Sequence, residues 1–211
     1  IDGNGYEMRT KTPKANVKLL RTFNASDISV DGIYFRDSAR WTIHLLQSQG
    51  VSLKNIKIIN DLRADNHDKI IIPRVSNTDG IDIDASRDIH VDHAFIYTGD
   101  DAFTPKVTGY MGALSECSHI TLSDNVIWTM KCALKVGTET LRDIHDVTFT
   151  NNDIIKADRG VALYATDGGR IANIQVINNY AEFIGGNIKE RHFLIRAKPD
   201  SKTIKNPGKI E

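Results

Sequence analysis

Cysteine is nearly absent. Cys117 and Cys132 are the only two, too few for a disulfide framework, and two buried free thiols are the plain expectation. No Cys/His spacing resembles a zinc site, no glycine-rich phosphate loop occurs, and no metal or other cofactor is expected. Charge of one sign is also missing. Lys and Arg total 27, as do Asp and Glu, so nothing in the overall charge favours nucleic acid or an anionic membrane surface. The apolar runs are far too short to span a bilayer. The opening residues, Ile1-Asp2-Gly3-Asn4-Gly5, do not read as a signal peptide, and a mature form or an excised piece is expected. Helical periodicity between the apolar segments is lacking as well.

What the chain has instead is repetition. A short motif, apolar-polar-apolar, reads Ile28-Ser29-Val30, Val51-Ser52-Leu53, Ile89-His90-Val91, Ile120-Thr121-Leu122, Val147-Thr148-Phe149 and Ile174-Gln175-Val176. Its copies start 23, 38, 31, 27 and 27 positions apart. Period-two alternation marks a half-buried strand. Asp31, Asn55, Asp92, Asn125, Asn151 and Asn178 follow these copies and are suited to a left-handed bend. A second strand set lies between them, at residues 41–45, 80–83, 102–104, 133–136, 160–164 and 193–195. Strands recurring at this period predict a solenoid. The expected fold is all-β: a parallel β-helix, one coil per repeat, forming a single domain over 1–211 with a loop or tail at 198–211. A β-sandwich is the rival, but it gives no reason for a repeated motif.

The solenoid gives meaning to a stretch dense in aspartate, residues 77–101. Equivalent positions of successive coils lie about 4.8 Å apart. Asp79 and Asp100 are 21 residues apart, so they are expected to stack, with Asp101 projecting beside them. Clustered carboxylates repel, and one then holds its proton to higher pH. Acid–base pairs of this kind serve glycoside hydrolysis; calcium binding is the other common use. Isolated Asp-Gly turns would need neither.

At these residues the sequence resembles glycoside hydrolase family 28, the polygalacturonase group, within the pectin-lyase-like right-handed β-helices. The resemblance rests on Asn77-Thr78-Asp79-Gly80 and Gly99-Asp100-Asp101, supported upstream by Ile1-Asp2-Gly3-Asn4-Gly5 and Trp41-Thr42-Ile43-His44. It implies inverting hydrolysis of a polysaccharide or oligosaccharide. Asp100 would be the general acid, Asp79 and Asp101 would hold and deprotonate water, and Asn77 would order the site. It also implies a secreted or periplasmic monomer without nucleic-acid or membrane partners.

Two family motifs are altered. Cys132 stands where a Gly-His-Gly histidine is expected, and Gly160-Val161 is followed by Ala162-Leu163-Tyr164 in place of Arg-Ile-Lys. Those two cations meet the substrate's carboxylate in polygalacturonases, so plain polygalacturonate is not the expected substrate. Lys106, Lys135 and Arg159 are candidate replacements, Tyr164 a candidate sugar platform, and Glu139 a further cleft residue. The loops at 60–76 and 105–118 are expected to wall the cleft. The alternatives are a polysaccharide lyase using one of these cations as base, and a non-catalytic glycan-binding or structural β-helix. Family catalytic domains are longer, so some flanking coils are expected to be missing.

Overall fold

The structure is a computed structural model, and it describes residues 1–11, 16–60, 77–185, 192–198 and 207–211. Three parallel sheets run along the chain, stacked as a right-handed β-helix. The first sheet carries the functional residues. Its strands are Leu20–Phe23, Ile43–Leu46, Ile81–Asp84, Phe103–Lys106, Cys132–Val136, Arg159–Ala165 and Phe193–Ala197. The repeated motif builds the second sheet. Ile28 pairs with Val51, Val51 with Ile89, Ile89 with Ile120, Ile120 with Val147, and Val147 with Ile174. The sequence spacing is therefore the structural register.

Alternation puts one side of each strand into a shared core. Ile43, Ile81, Phe103, Leu134 and Val161 align across the first sheet and all are buried. Val51, Ile89, Ile120 and Val147 do the same from the second. Phe103 and Phe149 meet edge to face, 6.3 Å between centroids. Each such side chain contributes roughly 1.5–3 kcal/mol on burial.

A third sheet was not anticipated. Its strands are Tyr34–Arg36, Lys57–Ile59, Phe95–Thr98, Val126–Thr129, Asp153–Ala157 and Tyr180–Ile184. Most are three or four residues long, so each offers one or two inward positions and little visible alternation. The bend before it is left-handed in every coil, but at a more uniform position than the sequence suggested. Asn55, Asn151 and Asn178 take positive φ as expected. In the other coils Gly32, His93 and Asp124 do so, next to the expected Asp31, Asp92 and Asn125. Asn125 instead turns inward and begins a buried ladder, its Nδ2 donating to Asn152 Oδ1 at 2.8 Å and Asn152 Nδ2 to Asn179 Oδ1 at 2.8 Å.

The ends also depart from expectation. A short helix, Gly5–Lys11, precedes the first coil. Of the stretch 198–211, residues 199–206 lie outside the described residues, and Lys209–Ile210 is a strand of the second sheet, paired with Arg170 and Ile171. In the last coil Tyr180, Phe183, Phe193 and Ile195 are exposed, whereas Val161 and Leu163, which pair with Phe193 and Ile195, are buried.

Candidate active site

The acids sit just ahead of strands of the first sheet: Asp100 and Asp101 on the short corner between Phe95–Thr98 and Phe103–Lys106, and Asp79 immediately before Ile81–Asp84. Ile81 pairs with Phe103. Gly80 N–H donates to the Asp101 carbonyl at 2.8 Å and Ile81 N–H to the Ala102 carbonyl at 2.8 Å. Asp79 therefore stacks on Asp101. This corrects the expectation that it would stack on Asp100, which precedes by one residue. The coil from Ile81 to Phe103 advances 22 positions, one more than the 21 that separate Asp79 from Asp100. Gly80 is required by the same close approach: a Cβ there would lie 2.5 Å from the Ala102 carbonyl oxygen.

All three acids nonetheless converge, with one carboxylate oxygen from each lying within 4.8 Å of the others. Asp100 is half-buried, and its Oδ2 accepts the Asn77 N–H at 2.8 Å. Its backbone carbonyl is gripped by the Thr98 hydroxyl at 2.7 Å and by the Thr129 hydroxyl. Asp101 is buried; it accepts the Cys132 N–H at 2.9 Å and the Lys135 ammonium at 2.5 Å. Asp79 is buried too, and its Oδ1 has no hydrogen-bond partner among the described residues.

These environments separate the acids by proton affinity. Burial, then the neighbouring Asp82 charge, pushes Asp79 well above the usual carboxylate range. Burial, then Asp101, raises Asp100. Burial works on Asp101 as well, but the Lys135 charge outweighs it and holds that carboxyl below its ordinary value. Three oxygens could begin a calcium shell, but that ion takes six to eight ligands, and the Lys135 ammonium already occupies Asp101.

The candidate cations are placed differently from one another. Lys106, expected as a cleft cation, is buried in an ion pair with Asp82 at 2.8 Å, and its ammonium lies 4.3 Å from the Trp41 ring centroid. Asp82 also accepts the Thr104 hydroxyl at 2.6 Å. Lys135 faces outward as strand parity predicted, and is bound to Asp101. Arg159 Nη1 lies 3.5 Å from Cys132 Sγ. Burial pushes the Cys132 thiol up to about 12, so it stays protonated and cannot stand in for a histidine base. Tyr164 is 7% exposed and packs with Cys132, Ala162 and Leu194, so it offers no open face to a sugar. Glu139 is exposed, 3.8 Å from Lys106, and Asn77 is exposed beside Asp100. Of the loop 60–76, residues 61–76 lie outside the described residues.

Sequence reasoning missed the residues beneath and beside the acids. Asp82 and Asp84 belong to no motif that marks them in the sequence. Asp84 is buried against His44 Nε2 at 3.1 Å and accepts the Thr108 hydroxyl at 2.6 Å. Arg21 Nε reaches His44 Nδ1 at 3.2 Å. A basic residue aligned with two outward strand acids was the available signal, since Arg21 pairs with His44 and His44 with Asp82 across the sheet.

The model of the glycosyl hydrolases family 28 matches residues 1–189. No curated protein sequence matches the chain. Among solved structures, a hyperthermoactive exopolygalacturonase from Thermotoga maritima aligns with a TM-score of 0.65 at 20% identity, over 92% of this chain and 47% of that one. An endo-xylogalacturonan hydrolase from Aspergillus tubingensis aligns at 0.62 and 15% identity, over 96% and 60%. A family 28 exopolygalacturonase from Yersinia enterocolitica aligns at 0.58 and 21%, over 86% and 34%. At such identities the likeness is one of fold, and the chain spans about a third to three fifths of those proteins.

Proposed function

Because this chain belongs to glycosyl hydrolases family 28, we propose that it hydrolyses a glycosidic bond of a polysaccharide or oligosaccharide with inversion at the anomeric carbon. The observation that carries this reading is the pairing of adjacent carboxyls with opposite proton affinities, Asp100 raised and Asp101 lowered. Environments that push paired groups apart assign acid and base. Asp100, the more accessible of the two, gives its proton to the leaving oxygen as the C–O bond breaks. Water attacks the anomeric carbon from the other face, and Asp101 takes its proton. Asp79, buried and holding its proton more tightly than an ordinary carboxyl, orients that water through a hydrogen bond. Lys135 keeps Asp101 ionised for the task.

The three acids sit closer together than the roughly 6.5–9.5 Å that inverting enzymes generally keep between their carboxyls. Substrate recognition differs from that of a plain polygalacturonase, because Ala162 and the packed Tyr164 present no cation at the altered motif. A lyase reading loses two of its three candidate bases: Lys106 and Lys135 are both raised above the ordinary lysine value by their aspartate partners, against the pull of burial, and a lysine so held does not accept a proton near neutrality.

The test is reducing-end release from plant, algal and bacterial polysaccharides by the wild type and Asp100→Asn, with product anomers followed by NMR. Release by the wild type, a loss of at least about 100-fold in the variant, and inverted anomers are expected. Retained configuration would reassign Asp101 as a nucleophile, and equal rates in both proteins would sink the acid assignment.

A further inference from the structure

Beside the acids, on the side toward the chain's N-terminus, lies a pocket of about 550 Å³. Its lining includes Lys18, Arg21, Trp41, His44, Asn77 and Tyr110. Asn77 joins the two places, because its N–H binds the Asp100 carboxylate while the residue borders the pocket.

The guanidinium of Arg21 is aimed by a buried relay. Asp84, fully buried, accepts from the Thr108 N–H at 3.0 Å and hydroxyl at 2.6 Å, and sits 3.1 Å from His44 Nε2. His44 is buried as well. Its Nδ1 lies 3.2 Å from Arg21 Nε. Arginine can only donate, so Nδ1 is the acceptor and Nε2 carries the proton given to Asp84. The Tyr110 ring packs 4.9 Å from the guanidinium carbon, and its hydroxyl is 3.4 Å from Nη1. This leaves Nη2 and part of Nη1 unused. Neither Arg21 nor Lys18 has a carboxylate within ion-pair distance among the described residues. Lys18 sits 4.4 Å from the Trp41 ring centroid and, among the described residues, donates to Asn16 alone. Half-burial, then repulsion from Arg21, lowers it to about 8. Asp82 and Asp79 offset this only in part and from beyond ion-pair contact, so two cations crowded together make a site that an anion would relieve.

We infer that this pocket binds an oxyanionic substituent of a sugar unit next to the scissile bond, a carboxylate or a sulfate ester, with Arg21 as its principal ligand and Lys18 as a second. The inference rests on the hydrolase reading for the sugar, and on the unpaired, relay-held guanidinium for the anion. A planar fork of donors suits either group bidentately. Anion recognition has thus moved to the opposite side of the acids from the altered Gly160-Val161-Ala162-Leu163-Tyr164 motif, where no cation remains in the family's two positions.

The test is calorimetric binding to the full chain in an Asp100→Asn background, so that no ligand is consumed, using oligogalacturonates, sulfated galactan oligosaccharides and neutral xylo- and galacto-oligosaccharides. At least one anionic set is expected to bind tenfold or more tightly than the neutral sets, and the preferred set distinguishes carboxylate from sulfate. Arg21→Met should lose at least tenfold for that set alone, with Arg21→Lys intermediate and thermal unfolding confirming that both fold. Equal affinity for neutral and anionic sets, no binding by any, or indifference to Arg21→Met would overturn the pocket. Hydrolysis by the wild type is scored separately. Arg21-dependent anion binding by a protein that cleaves nothing would uphold the pocket and sink the hydrolase. Cleavage of neutral and anionic substrates at equal rates would do the reverse.

Discussion

Lys106 and Lys135 each lie against an aspartate, whereas Lys18 and Arg21, on the side toward the N-terminus, lie against the rings of Trp41 and Tyr110. Trp41 is common to both groups, with Lys18 and Lys106 each over its ring. The residue types are alike, but the functions that follow are not. A buried cation with a carboxylate partner is part of the scaffold, and its charge is already spent on tuning that partner. A half-exposed cation without one has charge left for a ligand. Counting cations near a cleft therefore says little until each partner is known.

The comparison can be broken most forcefully at Lys106. Lys106→Met strands a fully buried Asp82, so a loss of roughly 3–5 kcal/mol in stability is expected, read as a lower denaturation midpoint. Asp82→Asn combined with Lys106→Met should recover much of it. A variant that keeps full stability and loses only substrate affinity would place Lys106 with the binding cations.

Lys135→Met sharpens the comparison at intermediate strength. The ammonium holds the Asp101 pKa below its unfolded value. The stability this contributes is present above the unfolded carboxylate range, near about 3.9, and is lost as pH falls through the folded value. Removing Lys135 lets Asp101 rise, so the acidic limb of the pH–rate profile should move upward and activity near pH 5 should fall by about tenfold or more. An unmoved acidic limb would separate Asp101 from the base role.

Lys18→Met should do least to the fold. The Lys18 pKa is lowered in the folded state, so its charge opposes folding below that value. Stability at pH 7 should stay within about 0.5 kcal/mol of wild type or rise. A larger loss would mean that Lys18 has a structural partner after all.

Much of the scaffold was legible because the repeated motif is itself the register: Ile28, Val51, Ile89, Ile120, Val147 and Ile174 align as their spacing implies. The convergence of Asp79, Asp100 and Asp101 was legible for the same reason. Their order was not, since the strand register, Ile81 on Phe103, sets Asp101 and not Asp100 over Asp79. The third sheet escaped because strands such as Tyr34–Arg36 are too short to alternate visibly. The Arg21–His44–Asp84 relay escaped because its members lie 23 and 40 positions apart, and single polar residues in strands ordinarily face water. Lys106 and Tyr164 were misjudged in opposite directions to their chemistry, the cation being buried by a partner on the next strand and the ring closing over the outer face of the sheet.

The shared register of the coils has a consequence for measurement along a substrate. Successive strands advance by about 4.8 Å, close to the length of one sugar ring in a chain. The stack of coils is thus a graduated rule, with Arg21 on its first mark, the acids at the corners of the third and fourth, and Lys135 on the fifth. Moving a recognition group by one mark reads a neighbouring sugar without touching the chemistry at the acids. A solenoid can in this way change which unit of a polymer it interrogates by substituting single side chains, while the cutting position stays fixed.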